Sequence, residues 1–398
     1  ITPSMAEAAV QARLTMTPTV SRPLAECTGQ VLREDVYAER DNPPFDRVCM
    51  DGIAIDSRAF ARGVRRYRIE AMQPAGVPAV TLADPEHAVE VMTGAIMPLG
   101  TDAVVPLEEY ELAGQTASLN AEASAAPYRN VQRRGSDSQP GAPMLTAGAR
   151  LGAAEIAVAA SAGLASVRVA RQPALMVIST GDELIEPGLP IAEHQVRRSN
   201  AYAVVAALRD HGFDEVANDH LADDEDVLRQ RLAQHLARHD ALILSGGVSK
   251  GKFDLVPKVL KQLGVEEVFY HVAQRPGMPM WFGVAPRGQL VFGLPGNPVS
   301  TLICLRRYVL PAMVAAMGAP PMQPEPIALA RPVKFGRALT YFMPVAVTHD
   351  ERGQRAAVPR APNGSGDFLA LAGTQGFVEL PPQAEPFPEG FIAQLYRW

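Results

Sequence analysis

Three times between Gln172 and Ser300, an unbroken apolar run stops at a loop carrying glycine and then opens toward a helix. The runs are PALMVIST, which ends at Thr180-Gly181-Asp182; DALILS, which ends at Gly246-Gly247; and QLVF, which leads into GLPGNPVS. A strand that is apolar at every position is buried on both faces, which is the habit of parallel sheets. Helices are expected over 200–211, 223–239, 255–263 and 299–317. In the second, Val227, Leu228, Leu232 and Leu236 keep helical spacing, and Asp223 or Asp224 can cap it. A further strand is expected at EVFYHV. This alternation dictates an α/β domain with a mainly parallel sheet over 172–319.

The flanks have a different texture. Residues 4–16 read as a helix, with Ser4 as N-cap and Glu7 three positions on. From 24 to about 169, short apolar runs are cut by Pro and Gly, and after 320 strands and turns return in ALARPVKF, YFMPVAVT and GFVEL. At 398 residues the chain is too long for a single core. A formal net charge of −6 argues against an extended nucleic-acid surface. The three cysteines, Cys27, Cys49 and Cys304, are too far apart for a zinc pattern or a disulfide framework. No uninterrupted apolar stretch reads as a membrane span, and Ile1-Thr2-Pro3-Ser4 lacks the segments of a secretory signal. A cytoplasmic setting with neither nucleic acid nor membrane as partner is expected.

In an open α/β sheet, ligands sit beyond the carboxyl ends of the strands. Three loops fall there: STGDE (179–183), SGGVSKGKFD (245–254) and GLPGNPVS (293–300). Glycine lets backbone N–H groups approach an anion, a helix start adds favourable partial charge, and hydroxyls add donors. A phosphate or another oxyanion is the natural guest, although any one such loop alone is only a turn. Carboxylates gather at the same rim: Asp182, Glu183, Asp223, Asp224 and Asp254. Asp223, Asp224 and Asp254 can be plain helix caps, but carboxylates beside anion loops also suit Mg²⁺. Asp51-Gly52, taken alone, reads as a hairpin turn. His271 reads as structural.

Taken in order, several fragments resemble the molybdopterin molybdenumtransferase family, of the MoeA and gephyrin E-domain type. They are PPFDRVCMDGIAI, VMTGAIMPLGTDAVVPLEE, RRGSD, ISTGDEL, SGGVSKGKFD, RPGMP, GLPGNPVS and NGSGDFLALAGTQGFVELP, and they span nearly the whole chain. The resemblance implies a multidomain α/β plus β chain. An N-terminal helical segment (1–23) would precede a β-rich linker and dimer domain (24–45 and 138–171). A second β-rich domain (46–137) would be inserted in it. A three-layer molybdopterin-binding domain (172–319) and a β-barrel-like C-terminal domain (320–398) would follow. It also implies a homodimer. The activity would be Mg²⁺-dependent insertion of molybdate into adenylylated molybdopterin with release of AMP, the substrate being handed over by a molybdopterin adenylyltransferase.

Residues carry over motif by motif. Asp51, Thr93, Asp137, Glu183 and Asp254 match the acidic and hydroxyl positions of the active cleft, with Glu183, Asp223, Asp224 and Asp254 on the metal side. Thr180, Gly181, Ser245, Gly246, Gly247, Ser249, Lys250, Lys252, Arg275, Pro295, Gly296, Asn297, Ser300 and Ser365 are the expected substrate contacts. Because Asp51, Thr93 and Asp137 lie in another domain, the resemblance implies a cleft completed across the dimer. Two family cations are replaced. The second lysine of K-P-G-K-P is Met278, and the arginine of F-x-R falls on Met343. Lys250, Lys252 and Arg337 are the candidates to replace them; the lysines also read as solvated loop residues. Alternatives to the transferase are an altered paralogue that binds molybdopterin or another oxyanion, and a scaffold.

Overall fold

The computed structural model describes residues 1–247, 255–349 and 353–398. Its first helix, α1 (Pro3–Gln11), is capped by Thr2, whose hydroxyl accepts the Met5 N–H, and not by Ser4. Pro3 has no N–H to satisfy and a φ already suited to a first helical turn, so the cap falls one residue before it. Ala6 and Val10 of α1 are buried in the core of the α/β domain.

Antiparallel pairs Thr19–Pro23 with Ser166–Ala170, and Val36–Tyr37 with Pro143–Leu145, close a small domain around Cys27, Leu32, Leu151 and Val169. Helix Ala153–Ser161, unforeseen from sequence, packs there through Ala159. Between its halves the chain builds a six-stranded sheet from strands between Gly52 and Leu119. Asp51-Gly52 is not a hairpin. Gly52 starts a strand paired on both sides, and a Cβ there would lie 2.0 Å from the Val105 carbonyl oxygen, so only glycine fits.

The α/β domain comprises β1 (Leu175–Thr180), α2 (Ser199–Asp210), β2 (Val216–Leu221), α3 (Glu225–Arg238), β3 (Ala241–Ser245), α4 (Val256–Gln262), β4 (Glu266–Tyr270), β5 (Trp281–Val284), β6 (Leu290–Leu294) and α5 (Pro298–Ala316). The sheet order is β2-β1-β3-β6-β5-β4. Pairings among the first four strands are parallel; β5 and β4 join antiparallel. α1, α2 and α5 cover one face, and α3 and α4 the other. Asp224 caps α3, accepting the Asp226 and Val227 N–H groups. Leu228, Leu232 and Leu236 face the sheet, whereas Val227 is exposed, contrary to its expected place in the stripe. α5 is long and apolar enough to cross a membrane, which the sequence reading missed. It is the core helix of this domain, with 78% of its apolar window buried in the fold. A π-type turn at Leu305–Val309 interrupts it, just before Pro311 removes a backbone donor.

The C-terminal domain is a five-stranded barrel. Strand Thr340–His349 pairs with both Arg355–Pro359 and Gly376–Leu380, and Glu325–Leu329 and Ile392–Arg397 complete the circuit. Closure removes the exposed sheet edge that a small β domain must otherwise protect. Glu325 bridges Arg397 (2.6 Å) and Arg355 (2.7 Å), and those hydrogen bonds, Arg397 first, hold its carboxyl down to about 2. Because the folded pKa lies below the unfolded one, this contribution is present above the usual glutamate range and fades as pH falls toward 2. Glu325→Gln is therefore expected to lower the unfolding midpoint at pH 7, with the difference from wild type shrinking between pH 5 and pH 3. A difference that stays constant over that window contradicts the assignment.

Candidate active site

Because β1, β3 and β6 are neighbours, their carboxyl ends deliver the three glycine loops to one place. Gly246 and Gly247 have φ of +94° and +65°, and a Cβ on Gly247 would stand 2.5 Å from the Thr180 hydroxyl. Glycine is thus required for the β3 loop to fold over the end of β1. Three adjoining chambers follow these loops. The first, about 440 Å³, is lined by Thr180, Glu183, Arg198, Asn200, Ser245 and Asn297, and by Phe368 of the barrel domain. The second, about 410 Å³, runs past Glu183, Gly246, Gly247, Pro295 and Gly296. The third, about 540 Å³, lies under the barrel between Arg275, Met278, Ser300, Arg337, Tyr341 and Ser365. Asn297 lines all three, so they form one cleft between the α/β and barrel domains.

The first chamber has a polar wall. His220 Nε2 bonds the Gly181 carbonyl at 2.9 Å and steadies the β1 loop. The Ser179 and Thr180 hydroxyls and Asn200 Oδ1 are buried and make no hydrogen bond among the described residues. Unused buried polar atoms are costly, and a gathering of them marks a wall completed by a polar guest. Arg198 is buried, bonds Glu186 (2.8 Å) and Asn218 (3.1 Å), and adds positive charge.

The third chamber carries the cations. Gln274–Arg275 pairs in parallel with Thr340 and Tyr341, stitching the Arg275–Pro279 loop to the barrel. Gln274 is fully buried. Its amide donates to the Pro276 and Gly277 carbonyls (both 3.2 Å), and its oxygen accepts the Tyr308 hydroxyl. Burial pushes the nearby Cys304 thiol up to about 12, so it stays protonated. On the opposite side, the Ser365 carbonyl accepts the Val299 N–H (3.0 Å), holding the barrel loop over the start of α5. Met278 is partly exposed and lines this chamber, as its alignment implied. Met343 does not. It is buried in the barrel core, whereas Arg337 lines the chamber.

The acidic residues divide. Glu183 lines the cleft. Asp224 is engaged as the α3 cap, and the Asp223 N–H donates to Asp182 Oδ1 at 3.3 Å. Among the described residues, no three Asp, Glu, His or Cys side chains gather as metal ligands. Ser249, Lys250, Lys252 and Asp254 lie outside the described residues.

Asp51 and Thr93 are joined. Asp51 Oδ1 accepts the Thr93 N–H (2.6 Å) and hydroxyl (2.7 Å), which holds the carboxyl below its usual range. Asp137 accepts the Gln132 amide at 2.9 Å. All three hang near the short strand Arg47–Val48, which pairs with Val131–Gln132, and none of them lines the cleft within one chain. Sequence reasoning missed Arg198, Asn200 and Gln274. They sit outside the glycine loops and matter only through loops distant in sequence.

Comparison with known proteins places this geometry. The described family regions match in order: the MoeA N-terminal region (domains I and II) over 1–163, the probable molybdopterin binding domain over 176–315, and the MoeA C-terminal region (domain IV) over 326–398. The chain is 38% identical over 371 residues to a molybdopterin molybdenumtransferase from Synechocystis, covering 93% of each chain. The chain belongs to the molybdopterin molybdenumtransferase (MoeA) family. A second relative, molybdopterin molybdenumtransferase 2 of Mycobacterium tuberculosis, is 31% identical over 392 residues and covers 95% of this chain and 94% of its own. Two crystal structures of MoeA from Pyrococcus horikoshii share the fold at TM-score 0.82, with 28% and 25% identity, over 100% of this chain and 99% and 100% of theirs. The chain is thus a transferase of molybdenum cofactor biosynthesis, and its MoeA fold comprises the molybdopterin-binding sheet, interleaved β-rich regions and terminal barrel.

Proposed function

We propose that this chain inserts molybdate into adenylylated molybdopterin and releases AMP. The observation that carries the reading is one continuous cleft with two chemistries. Glycine loops, hydroxyls and amides line one end, and Arg275 and Arg337 with Ser300 and Ser365 line the other. The loops suit the phosphates of a pterin nucleotide, because backbone N–H groups accept close approach by phosphate oxygens. The arginine end suits a tetrahedral dianion, which guanidinium groups bind through paired hydrogen bonds. Bound side by side, the two substrates would meet at Asn297.

Mg²⁺ is part of this reading. The ion usually takes one or two carboxylates together with phosphate oxygens, and Glu183 is the described carboxylate on the cleft wall that fits that role. When bound, it neutralises charge on the phosphates. Asp51, Thr93 and Asp137 enter as contributions of a second copy to the same cleft, which makes the functional unit a homodimer. A molybdopterin adenylyltransferase is the donor of the substrate.

The test is anaerobic turnover by purified protein supplied with adenylylated molybdopterin. AMP release is expected only when Mg²⁺ and molybdate are both present, together with cofactor that activates a molybdenum-free enzyme. AMP release at the same rate without molybdate would overturn the reading.

A further inference from the structure

We propose that Asn200 is a positioning residue that holds the β3 and β6 anion loops in register. It stands in the first turn of α2, where asparagine has no merit as a helix former. Its value is tertiary. The two protons of the side-chain NH₂ are shared among three acceptors: Ser245 Oγ (2.9 Å) at the end of β3, the Gly296 carbonyl (2.7 Å) in the β6 loop, and Thr301 Oγ1 (3.2 Å) in α5. The orientation of this amide is fixed by its partners. A carbonyl only accepts, and the Thr301 hydroxyl proton is directed to the Pro295 carbonyl at 2.6 Å. The NH₂ must therefore face the loops, which leaves Oδ1 turned away from them, buried and without a hydrogen bond among the described residues.

One side chain thus touches the β3 loop, the β6 loop and the start of α5 from a helix that follows the β1 loop. At their bases the β3 and β6 loops are joined by the Gly246 N–H, which donates to the Leu294 carbonyl at 3.4 Å. A Cβ on Gly296 would lie 3.6 Å from the Gly246 Cα, ordinary contact distance, so sterics alone do not lock them. A phosphate recognised by several backbone N–H groups needs them aligned to within about half an ångström. The inference rests on the function proposed above and specifies which residue sets the pterin-nucleotide end of the cleft. The arginine chamber has supports of its own in Gln274 and the barrel pairing, so losing the Asn200 contacts should affect it less.

The experiment measures two equilibria on the full chain, anaerobic molybdopterin binding and molybdate binding, for wild type, Asn200→Ala and Asn200→Asp. Aspartate keeps the shape and can still accept from Ser245, but it cannot donate to Gly296 or Thr301. Both variants are expected to bind molybdopterin at least tenfold more weakly while binding molybdate within twofold of wild type. A general folding defect would move both affinities. Either equal losses for both ligands or molybdopterin binding within twofold of wild type in Asn200→Asp overturns the inference. If wild type binds molybdate but no molybdopterin, the functional reading fails at the pterin end, and this inference falls with it.

Discussion

Replacing Arg275 and Arg337 together by alanine is expected to weaken molybdate binding by about two to four orders of magnitude. Both side chains line the chamber beneath the barrel. A hydrogen bond to a charged group contributes about 1.5–3 kcal/mol, and two arginines each making one give about 3–6 kcal/mol. At 1.4 kcal/mol per factor of ten, that is roughly 10² to 10⁴ in affinity. Each single variant should lose about the square root of that. Restoring charge with Met278→Lys should strengthen binding, since Met278 faces the same space. Equilibrium dialysis with molybdate reads these effects. A double variant that loses less than about threefold would place the oxyanion elsewhere.

Arg307→Ala is expected to destabilise the whole chain by about 3 kcal/mol, the lower end for breaking a buried ion pair. Arg307 lies in the π-type turn of α5 and is almost wholly buried. It bonds Glu7 of α1 at 2.7 Å and Glu379 of the barrel at 3.1 Å, so one guanidinium joins the N-terminal helix, the core helix and the terminal domain. Burial would lower its pKa, but Glu379 and then Glu7 more than offset this, and the group stays charged. Removing it leaves Glu379 largely buried with no counter-charge. Glu7 is the more exposed partner, its side chain 43% accessible, which is why the estimate sits at the low end. Urea unfolding measures the loss. Arg307→Met combined with Glu7→Gln and Glu379→Gln should recover most of it, because desolvation and attraction are then removed together. A loss below about 1 kcal/mol for Arg307→Ala would show that the three elements are joined by packing alone.

Much of the fold is legible in the sequence where burial is two-sided. β1, β3 and β6 read as unbroken apolar runs because helices cover both faces of their sheet. β2 was invisible for the opposite reason. It is the edge strand, and Asn218, Asp219 and His220 in its middle look like loop. The antiparallel addition of β5 and β4 was equally hidden, since strand direction is set by a connection and not by composition. Of the site, the glycine loops announced themselves through residue type. Asn200 and Gln274 did not, because each acts through carbonyls and hydroxyls tens of residues away. The setting of Met343 was hidden as well, since a motif matched by position does not say which way a strand turns its side chains. The barrel turns that side chain into its core and presents Arg337 to the cleft.

The central claim is that one cleft holds the pterin nucleotide at its glycine loops and molybdate at its arginines. A crystal structure with adenylylated molybdopterin and molybdate, its metal located by anomalous scattering, tests this most directly. The expected result is phosphate density against Thr180, Gly246 and Asn297, with the molybdenum between Arg275 and Arg337 and its oxygens within hydrogen-bonding reach of both. Phosphate or metal peaks outside the cleft, with these residues contacting solvent alone, would contradict it.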